Sequence, residues 1–334
     1  MTETTTVEAI ADEIARAGVD RVFGLPGGEV LFLLDALRRR GVEFVLCRHE
    51  AAAGLAAAVY GKLRRVPGVV LTTLGPGAAN LMLPLANSLL DREPLLAISA
   101  SLPAGLPVTH THQRLPLLDV YRPVTKLCAE ISPFGARRTV RRALAAALEE
   151  PAGPAFLTLS PRDGQAPAYD RTEPAEADAP SGGRAPSPAP GDPDKAAAEL
   201  SRALGRATKP LVLLGLGVRP ERAPALRRWL EAWRLPVAVT PKVKGLVDET
   251  GDGFVGVVGG MAVDGLMMDA LTQADLIIGF GFDPVEVDKA WHAGLPITWV
   301  LESASAGGHL PADHLLVADH GALLERLAAA PPPA

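Results

Sequence analysis

Three short clusters hold the residues whose types and spacing could do chemistry: residues 24–28 (GLPGG), 48–50 (RHE) and 75–80 (GPGAAN). Each follows a short apolar run that predicts a β-strand. Glycine turns let a ligand approach the backbone closely, and a carboxylate such as Glu50 can exchange a proton with a bound group. The third cluster lacks the Lys-Ser/Thr of a nucleotide-triphosphate loop, which argues against that kind of site. Taken singly, the clusters are also compatible with tight turns and with a carboxylate that complements a helix dipole.

The elements that must position these clusters alternate between strand and helix along the whole chain. This pattern predicts an α/β protein with two doubly wound parallel-sheet domains. A run rich in proline, alanine and glycine divides the chain into a first domain (1–163), a linker (164–194) and a Rossmann-like second domain (195–331). Open α/β sheets bind ligands at the carboxyl ends of their strands, so the three clusters are expected on one edge of the first sheet.

Composition excludes several classes of protein. Of 334 residues, 48% are hydrophobic and only 4% aromatic, which predicts an aliphatic core. The net charge of −5 and the scattered basic residues indicate no nucleic-acid surface. The two cysteines form no metal or disulfide pattern, and the N-terminus resembles neither a secretion signal nor a membrane anchor. We therefore expect a cytoplasmic protein without a membrane segment.

In their order and spacing, the three clusters resemble the pyrimidine-binding domain of the acetolactate synthase branch of thiamine diphosphate (ThDP) enzymes. That family runs G-x-P-G-G, R-H-E, G-P-G-x-x-N and D-x-x-P. The matching residues here are Gly24, Pro26, Gly27, Gly28, Arg48, His49, Glu50, Gly75, Pro76, Gly77, Asn80, Asp91 and Pro94. Further similar positions are Gln113, residues 122–126 (RPVTK) and residues 153–154. The second half of the chain resembles the family's central domain more weakly.

The resemblance implies a cofactor and its contacts. The aminopyrimidine ring of ThDP would be held by Pro26, Gly27, Gly28, Glu50, Gly75, Pro76, Gly77 and Asn80. Glu50 would hydrogen-bond that ring and promote the tautomer that removes the thiazolium proton, and Glu50→Gln is expected to abolish turnover. The cofactor itself carries the difficult chemistry.

Metal and diphosphate ligands are the first departure from the family pattern. In the family they lie on a third domain, at a Gly-Asp-Gly followed by an asparagine. Residues 251–253 (GDG) lack the asparagine and are interpreted as a surface turn. We therefore expect no metal ligands in this chain and Mg²⁺ bound on a second subunit that carries the diphosphate-binding domain. The ending in PPPA favours a natural split subunit, in a hetero-oligomer built on a dimer, over a shortened chain.

The substrate side shows two further departures. A family phenylalanine beside Gln113 is replaced by His112, which is either an ordinary surface histidine or a proton donor to the substrate. The family's arginine-rich segment corresponds to residues 281–286 (GFDPVE), where both arginines are missing. This favours a 2-oxo acid decarboxylase or a carboligase with another acceptor over a true acetolactate synthase. The lone G-x-G at residues 215–217 is weak support for a dinucleotide, so FAD is not expected.

Two alternatives to the enzyme subunit stay open. The chain could be a non-catalytic regulatory or interaction protein that retains the fold. It could also be an independent nucleotide-binding protein that uses residues 215–217.

Overall fold

The computed structural model describes residues 4–107, 109–169, 191–259, 265–286, 294–303 and 314–330. The chain divides into two units, Met1–Ala185 and Pro186–Ala334. Each unit contains a six-stranded parallel sheet with helices, which confirms the predicted α/β class. Among the described residues, no helix combines the length and the apolar character that crossing a bilayer requires.

The first sheet has the strand order β2-β1-β3-β4-β6-β5. Its strands are β1 (Arg21–Leu25), β2 (Glu43–Leu46), β3 (Gly68–Thr72), β4 (Leu95–Ala100), β5 (Leu127–Glu130) and β6 (Pro154–Leu159). Its helices are α1 (Thr6–Arg16), α2 (Leu31–Arg39), α3 (Glu50–Arg64), α4 (Pro76–Ala79), α5 (Met82–Leu90), α6 (Leu117–Tyr121), α7 (Ala136–Leu148) and α8 (Pro161–Gln165).

Local sequence explains why these elements form where they do. Thr5 and Glu8 make a capping box at the start of α1, and Gly18, with φ of +81°, follows its end. Every residue of β3, β4 and β6 is buried, as expected for central parallel strands covered by helices on both faces. Aliphatic clusters on the two sides of the sheet form the core.

The strand order places a topological switch between β1 and β3. The chain leaves β1 for β2 on one side and returns to β3 on the other. Connections diverge at such a point and leave a crevice at the carboxyl ends of the two strands. The turns that follow β1 and β3 contain the glycine clusters at 24–28 and 75–80, so the fold positions both beside this crevice.

The second sheet has the order β12-β11-β10-β7-β8-β9, which is also doubly wound. Its strands are β7 (Pro210–Leu214), β8 (Val237–Val239), β9 (Phe254–Val257), β10 (Leu276–Phe280), β11 (Ile297–Leu301) and β12 (His314–Val317). Its helices are α9 (Pro193–Leu204), α10 (Ala223–Trp233), α11 (Gly265–Gln273) and α12 (His320–Ala329). Trp229 of α10 is completely buried in the core of this sheet, and Trp233, one helical turn later, packs against the same core.

Residues 164–169, at the start of the expected linker, contact the first unit. Gly164 is buried within α8. The backbone N–H groups of Ala168 and Tyr169 donate to the carbonyls of Thr4 and Pro133, both at 2.8 Å. The chain from 164 to 169 is therefore paired with the first sheet's helices and loops. Residues 170–190, which make up most of the expected linker, lie outside the described residues.

Candidate active site at the carboxyl edge of the first sheet

Glu50 is the first residue of α3 and is only 6% exposed. The Nδ1 atom of His49, the N-cap residue, accepts a hydrogen bond from the N–H of Ala51 at 3.1 Å. The side chain of Asn80 donates from Nδ2 to Glu50 Oε2 at 2.8 Å. The predicted acid–base residue is thus a buried carboxylate whose orientation is fixed from a neighbouring turn.

The second glycine turn packs closely against this carboxylate. A Cβ atom on Gly77 would lie 2.7 Å from Thr73 Cγ2 and 3.2 Å from Glu50 Oε1. Such contacts are too short for a larger residue. Gly28 differs, since no atom lies within 4 Å of the position of its Cβ. The crevice is therefore tightly packed beneath Glu50 and open beside Gly28.

Tyr121 packs beside the second glycine turn, residues 75–80, and hydrogen-bonds to its backbone. Its hydroxyl donates to the carbonyl oxygen of Ala78, and its ring lies 4.1 Å from that of Phe156 in β6. Burial raises the pKa of the Tyr121 hydroxyl well above its usual value, so it stays a donor. Tyr121 is therefore a buried brace that fixes the turn carrying Gly77 and Asn80.

The segment that contains His112 and Gln113 approaches the same turn. Gly75 has φ of +59°, and a Cβ on it would lie 2.7 Å from Gln113 Cβ. Gln113 itself has φ of +55°. His112 is exposed, and no contact of its ring with Glu50 is present among the described residues. The structure therefore brings Gln113 to the glycine turn, whereas the predicted role of His112 stays a prediction.

Arg114 closes the loop that precedes Gln113. Its Nε donates to the carbonyl of His110 at 2.7 Å, and its NH2 group donates to the carbonyl of Pro107 at 3.2 Å. A solvent-open cavity of about 420 Å³ lies under this loop, at the carboxyl ends of β4, β5 and β6. Gln113 and Leu74 line one side of it, so the cavity adjoins the second glycine turn.

Sequence reasoning did not identify one pair of residues at this edge. Thr73, directly after β3, donates from Oγ1 to Glu29 Oε2 at 2.7 Å. A Cβ on Gly27 would lie 2.5 Å from Thr73 Oγ1 and 2.7 Å from Glu29 Oε2. The available signal was a carboxylate that directly follows a glycine turn at the end of a switch-point strand.

The described part of the chain contains no cluster of three or more His, Cys, Asp or Glu residues that could hold a metal ion. Residues 251–253 form an exposed bend and turn, as expected for this segment. The described edge of the first sheet therefore offers the Glu50 carboxylate and backbone groups to a ligand, without a cluster of metal ligands.

Lys126 lies in residues 122–126, which resemble a family segment, and its side chain hydrogen-bonds to the backbone. Its Nζ donates to the carbonyls of Glu149, at the end of α7, and of Pro151, the latter at 2.9 Å. Burial lowers the pKa of Lys126 to about 8. Lysine at this place satisfies carbonyls that the helix leaves without partners.

The second sheet has its own switch point, between β7 and β10. The N–H of Gly217 donates to the carbonyl of Gly281 at 2.7 Å, so the two turns are joined directly. Glu286 fills the adjoining space, where its Oε2 accepts from the N–H of Leu216 at 2.8 Å and its Oε1 accepts from the hydroxyl of Thr240. Burial raises the pKa of Glu286 to about 7. In this structure Glu286 therefore occupies the N–H group of Leu216, which could otherwise donate to a ligand phosphate.

Comparison with known proteins agrees with this arrangement. The family described as "Thiamine pyrophosphate enzyme, N-terminal TPP binding domain" matches residues 4–120, which include Glu50, both glycine turns, Asn80 and Gln113. The family described as "Thiamine pyrophosphate enzyme, central domain" matches residues 197–327. The chain belongs to the thiamine pyrophosphate enzyme family. In this family the two matched regions are consecutive domains, in agreement with the two sheets.

Among thiamine pyrophosphate enzymes, the chain is similar to acetolactate synthases. It is 32% identical to the catabolic acetolactate synthase of Raoultella terrigena over 333 residues, which are 96% of this chain and 57% of the relative. It is 32% identical to the acetolactate synthase of Bacillus subtilis over 292 residues, which are 85% of this chain and 49% of the relative. The mitochondrial enzyme of Schizosaccharomyces pombe is also 32% identical, with 82% of this chain and 42% of the relative covered. The chain therefore spans about half the length of these relatives.

Proposed function

We propose that the chain supplies the pyrimidine-binding part of a ThDP-dependent 2-oxo acid decarboxylase or carboligase. The observation that carries this proposal is the buried Glu50 carboxylate, fixed by Asn80 at a switch-point crevice. Buried carboxylates are costly unless they are hydrogen-bonded or have a role at a ligand. A ring nitrogen is a suitable partner, because a carboxyl group can share a proton with it.

The residues of this edge have distinct tasks toward the cofactor. Pro26, Gly27, Gly28, Gly75, Pro76 and Gly77 let the ring approach the backbone, and Asn80 keeps the carboxylate aimed at it. Glu50 holds and moves the proton of the ring nitrogen. When bound, ThDP supplies the electron sink that allows a 2-oxo acid to lose carbon dioxide.

His112 and Gln113 serve the substrate end of the site. Support comes from the contact between Gln113 and the Gly75 turn, which brings this loop to the same edge as Glu50. An imidazole can donate or accept a proton, and an amide can orient a carboxylate or carbonyl oxygen. His112 is therefore assigned proton transfer to the substrate, and Gln113 substrate orientation.

The diphosphate and Mg²⁺ are assigned to a second subunit that carries a diphosphate-binding domain. Supporting observations are the lack of a ligand cluster in the described part of the chain and the greater length of the relatives. The resulting assembly is a hetero-oligomer built on a dimer, with Mg²⁺ held by the partner. FAD has no role in this proposal, because Glu286 takes the hydrogen-bond donors of the second crevice.

A binding experiment on the chain tests the proposal directly. The hydroxymethyl aminopyrimidine that forms the ring half of thiamine is titrated into the purified protein, and binding is followed by ligand-observed NMR. Wild type is expected to bind it and Glu50→Gln to lose at least tenfold in affinity, with unchanged circular dichroism. Reconstitution with a diphosphate-domain subunit, ThDP and Mg²⁺ should then release carbon dioxide from a 2-oxo acid, and the Gln variant should not. Equal binding by wild type and variant contradicts the proposal and favours a regulatory protein that retains only the fold.

A further inference from the structure

The cavity under the loop that contains Gln113 lies next to the proposed cofactor crevice. It has a volume of about 420 Å³ and opens at the carboxyl ends of β4, β5 and β6. Small-molecule sites have volumes of roughly 300–1,000 Å³. The strand order places β4 beside β3, and the turn that follows β3 contacts Glu50. The cavity is therefore large enough for a ligand and shares an edge of the sheet with Glu50.

The apolar lining of this cavity consists mainly of leucine side chains. They come from the turns after β3 and β4 and from the chain around the start of α6: Leu74, Leu102, Leu115, Leu117 and Leu118. Leu74 and Leu117 are only 5% and 7% exposed, so the core fixes these walls. Ser101, Ala104 and Gly105 also line the cavity, and their small size leaves room for a ligand.

The charged side chains around the cavity balance each other. Two are basic and two are acidic, and all of them are exposed: Arg114, Asp119, Arg122 and Glu130. The lining therefore carries no net formal charge, and water screens its exposed charges. Selection in this cavity depends on volume and apolar contact rather than on the sign of the charge of a ligand.

Gln113 connects the cavity to the second glycine turn. It lines the cavity, and a Cβ on Gly75 would lie 2.7 Å from Gln113 Cβ. Two residues further along the turn, a Cβ on Gly77 would lie 3.2 Å from Glu50 Oε1. Two residues of chain span at most about 7 Å, so the Gln113 end of the cavity is separated from the Glu50 crevice by one short turn.

We propose that this cavity binds the side chain of the 2-oxo acid, and that the preferred substrate carries a large apolar side chain. This inference rests on the proposed function and names its substrate class. The methyl group of pyruvate would leave the leucine walls in contact with water. A longer side chain displaces this water, and each apolar carbon that leaves water strengthens binding. Gln113, assigned to substrate orientation, holds the carboxylate or carbonyl oxygen at the end nearest to the glycine turn.

The first test compares two 2-oxo acids as ligands of the purified chain. Pyruvate and 4-methyl-2-oxopentanoate share the reacting end and differ in the size of the apolar side chain. Ligand-observed NMR is expected to show roughly tenfold tighter binding of 4-methyl-2-oxopentanoate, because its additional carbons leave water. Equal affinity for the two acids overturns the proposal.

Two variants test whether the preference arises in this cavity. Ala104→Trp places a large ring at an exposed position of the lining and should reduce the preference for the longer acid about fivefold. Leu115→Ser replaces an apolar wall that is 44% exposed and should reduce it about threefold. Ala145→Trp is the matched control, since Ala145 is exposed in α7 and does not line the cavity. Circular dichroism should be unchanged in all three variants, and an equal reduction in the control overturns the proposal.

The second test measures turnover in the reconstituted assembly. The ratio of kcat/KM for 4-methyl-2-oxopentanoate to kcat/KM for pyruvate is expected to be roughly ten in wild type and to fall about fivefold in Ala104→Trp. A wild-type ratio that favours pyruvate overturns the proposal, as does a ratio that Ala104→Trp leaves unchanged. If wild type binds the pyrimidine and Glu50→Gln does not, the proposed function survives such a failure. If wild type does not bind the pyrimidine, the proposed function itself fails.

Discussion

Asn80 Nδ2 lies 2.8 Å from Glu50 Oε2, although the two residues are 30 positions apart in the chain. Asn80 ends the short helix α4, and Glu50 begins α3. The hydrogen bond therefore joins the turns after β2 and β3, which are not neighbouring strands in the sheet. A change in either turn must alter the direction in which the carboxylate points.

Replacing Asn80 by alanine tests this connection. The variant removes one hydrogen bond to a carboxylate, an interaction that contributes about 1.5–3 kcal/mol. We expect affinity for the ring half of thiamine to fall roughly tenfold, by less than for Glu50→Gln, as measured by NMR titration. Loss of Asn80 also leaves Oε2 of the buried Glu50 without this donor, so the free energy of unfolding should fall by about 1–3 kcal/mol.

Asn87→Ala is the matched control for Asn80→Ala. Asn87 donates to Asp91 at 3.2 Å within α5 and its C-cap, so it offers the same chemistry without contact to Glu50. Its loss should leave pyrimidine affinity unchanged. An equal loss of affinity in both variants would indicate a general effect on the domain rather than orientation of Glu50.

Position 77 has no room for a side chain larger than that of glycine. Gly77→Ala would place Cβ 2.7 Å from Thr73 Cγ2 and 3.2 Å from Glu50 Oε1, so the carboxylate must move. We expect loss of pyrimidine binding and a lower free energy of unfolding by about 1–3 kcal/mol, measured by urea denaturation. Gly28→Ala meets no atom within 4 Å and should keep wild-type stability. If Gly28 faces the bound ring as proposed, this second variant weakens binding alone.

Tyr121→Phe tests whether the Tyr121 hydroxyl stabilises the glycine turn at residues 75–80. The variant keeps the ring against Phe156 and removes the hydroxyl that donates to Ala78. The buried carbonyl then lacks this donor, which costs about 1–3 kcal/mol. Urea denaturation should show this loss, and hydrogen exchange should increase in residues 75–80 before the rest of the first domain. Exchange that increases uniformly would contradict a local brace.

Glu286 gives the second domain a predictable pH dependence. Its pKa is raised from 4.5 to about 7 in the folded protein, so the folded state holds its proton more tightly than the unfolded state. The stabilisation is complete below pH 4.5 and is lost as the pH rises through about 7. The loss relative to Glu286→Gln, whose side chain does not titrate, should be roughly 3 kcal/mol. Urea denaturation from pH 4.5 to 8 measures it as a difference between wild type and variant.

Wild type must be compared with Glu286→Gln because His320 changes the stability of the same domain with pH in the opposite direction. Burial lowers the pKa of His320 from 6.5 to about 4, so its contribution is present above pH 6.5 and is lost as the pH falls through about 4. The raw pH profile of the wild type therefore contains both effects. Parallel profiles for wild type and Glu286→Gln would show that Glu286 does not keep its proton in the fold.

His112→Phe restores the residue type of the resembled family at the substrate loop. His112 is exposed, so neither folding nor pyrimidine binding should change. In the reconstituted assembly we expect a lower rate of aldehyde formation and loss of the limb of the pH profile that a histidine imposes. An unaltered rate and profile would remove His112 from the mechanism.

The fold class and the common edge of the three clusters follow from the sequence because both depend on local patterns. Strand and helix periodicity gave the two sheets, and glycine turns after strands marked their carboxyl ends. The pair of Glu29 and Thr73 could not be read in this way, since it depends on which strands become neighbours at the switch point. For the same reason the position of Glu286 beside residues 215–217 could not be predicted from the sequence.

The contacts of residues 164–169 with the first domain also could not be predicted from the sequence. Composition changes near Gly164, yet Ala168 and Tyr169 pair with distant backbone groups of the first domain. Such pairing leaves no periodic signature, because it involves single bridges rather than a strand or helix. Local sequence patterns therefore do not reveal these contacts of residues 164–169.

The two switch points of this chain differ in what a small molecule would meet there. Beside the second sheet, the N–H of Gly217 is hydrogen-bonded to the carbonyl of Gly281. Glu286 accepts from the N–H of Leu216 and the hydroxyl of Thr240. Beside the first sheet, the space at Gly28 is clear of the chain's own atoms within 4 Å. Fragment screens and inhibitor design should accordingly concentrate on the first edge, where heterocycles with hydrogen-bond donors are the preferred starting chemistry for a contact with Glu50. Hits that require Glu50 and ignore Glu286 would be the expected outcome of such a screen.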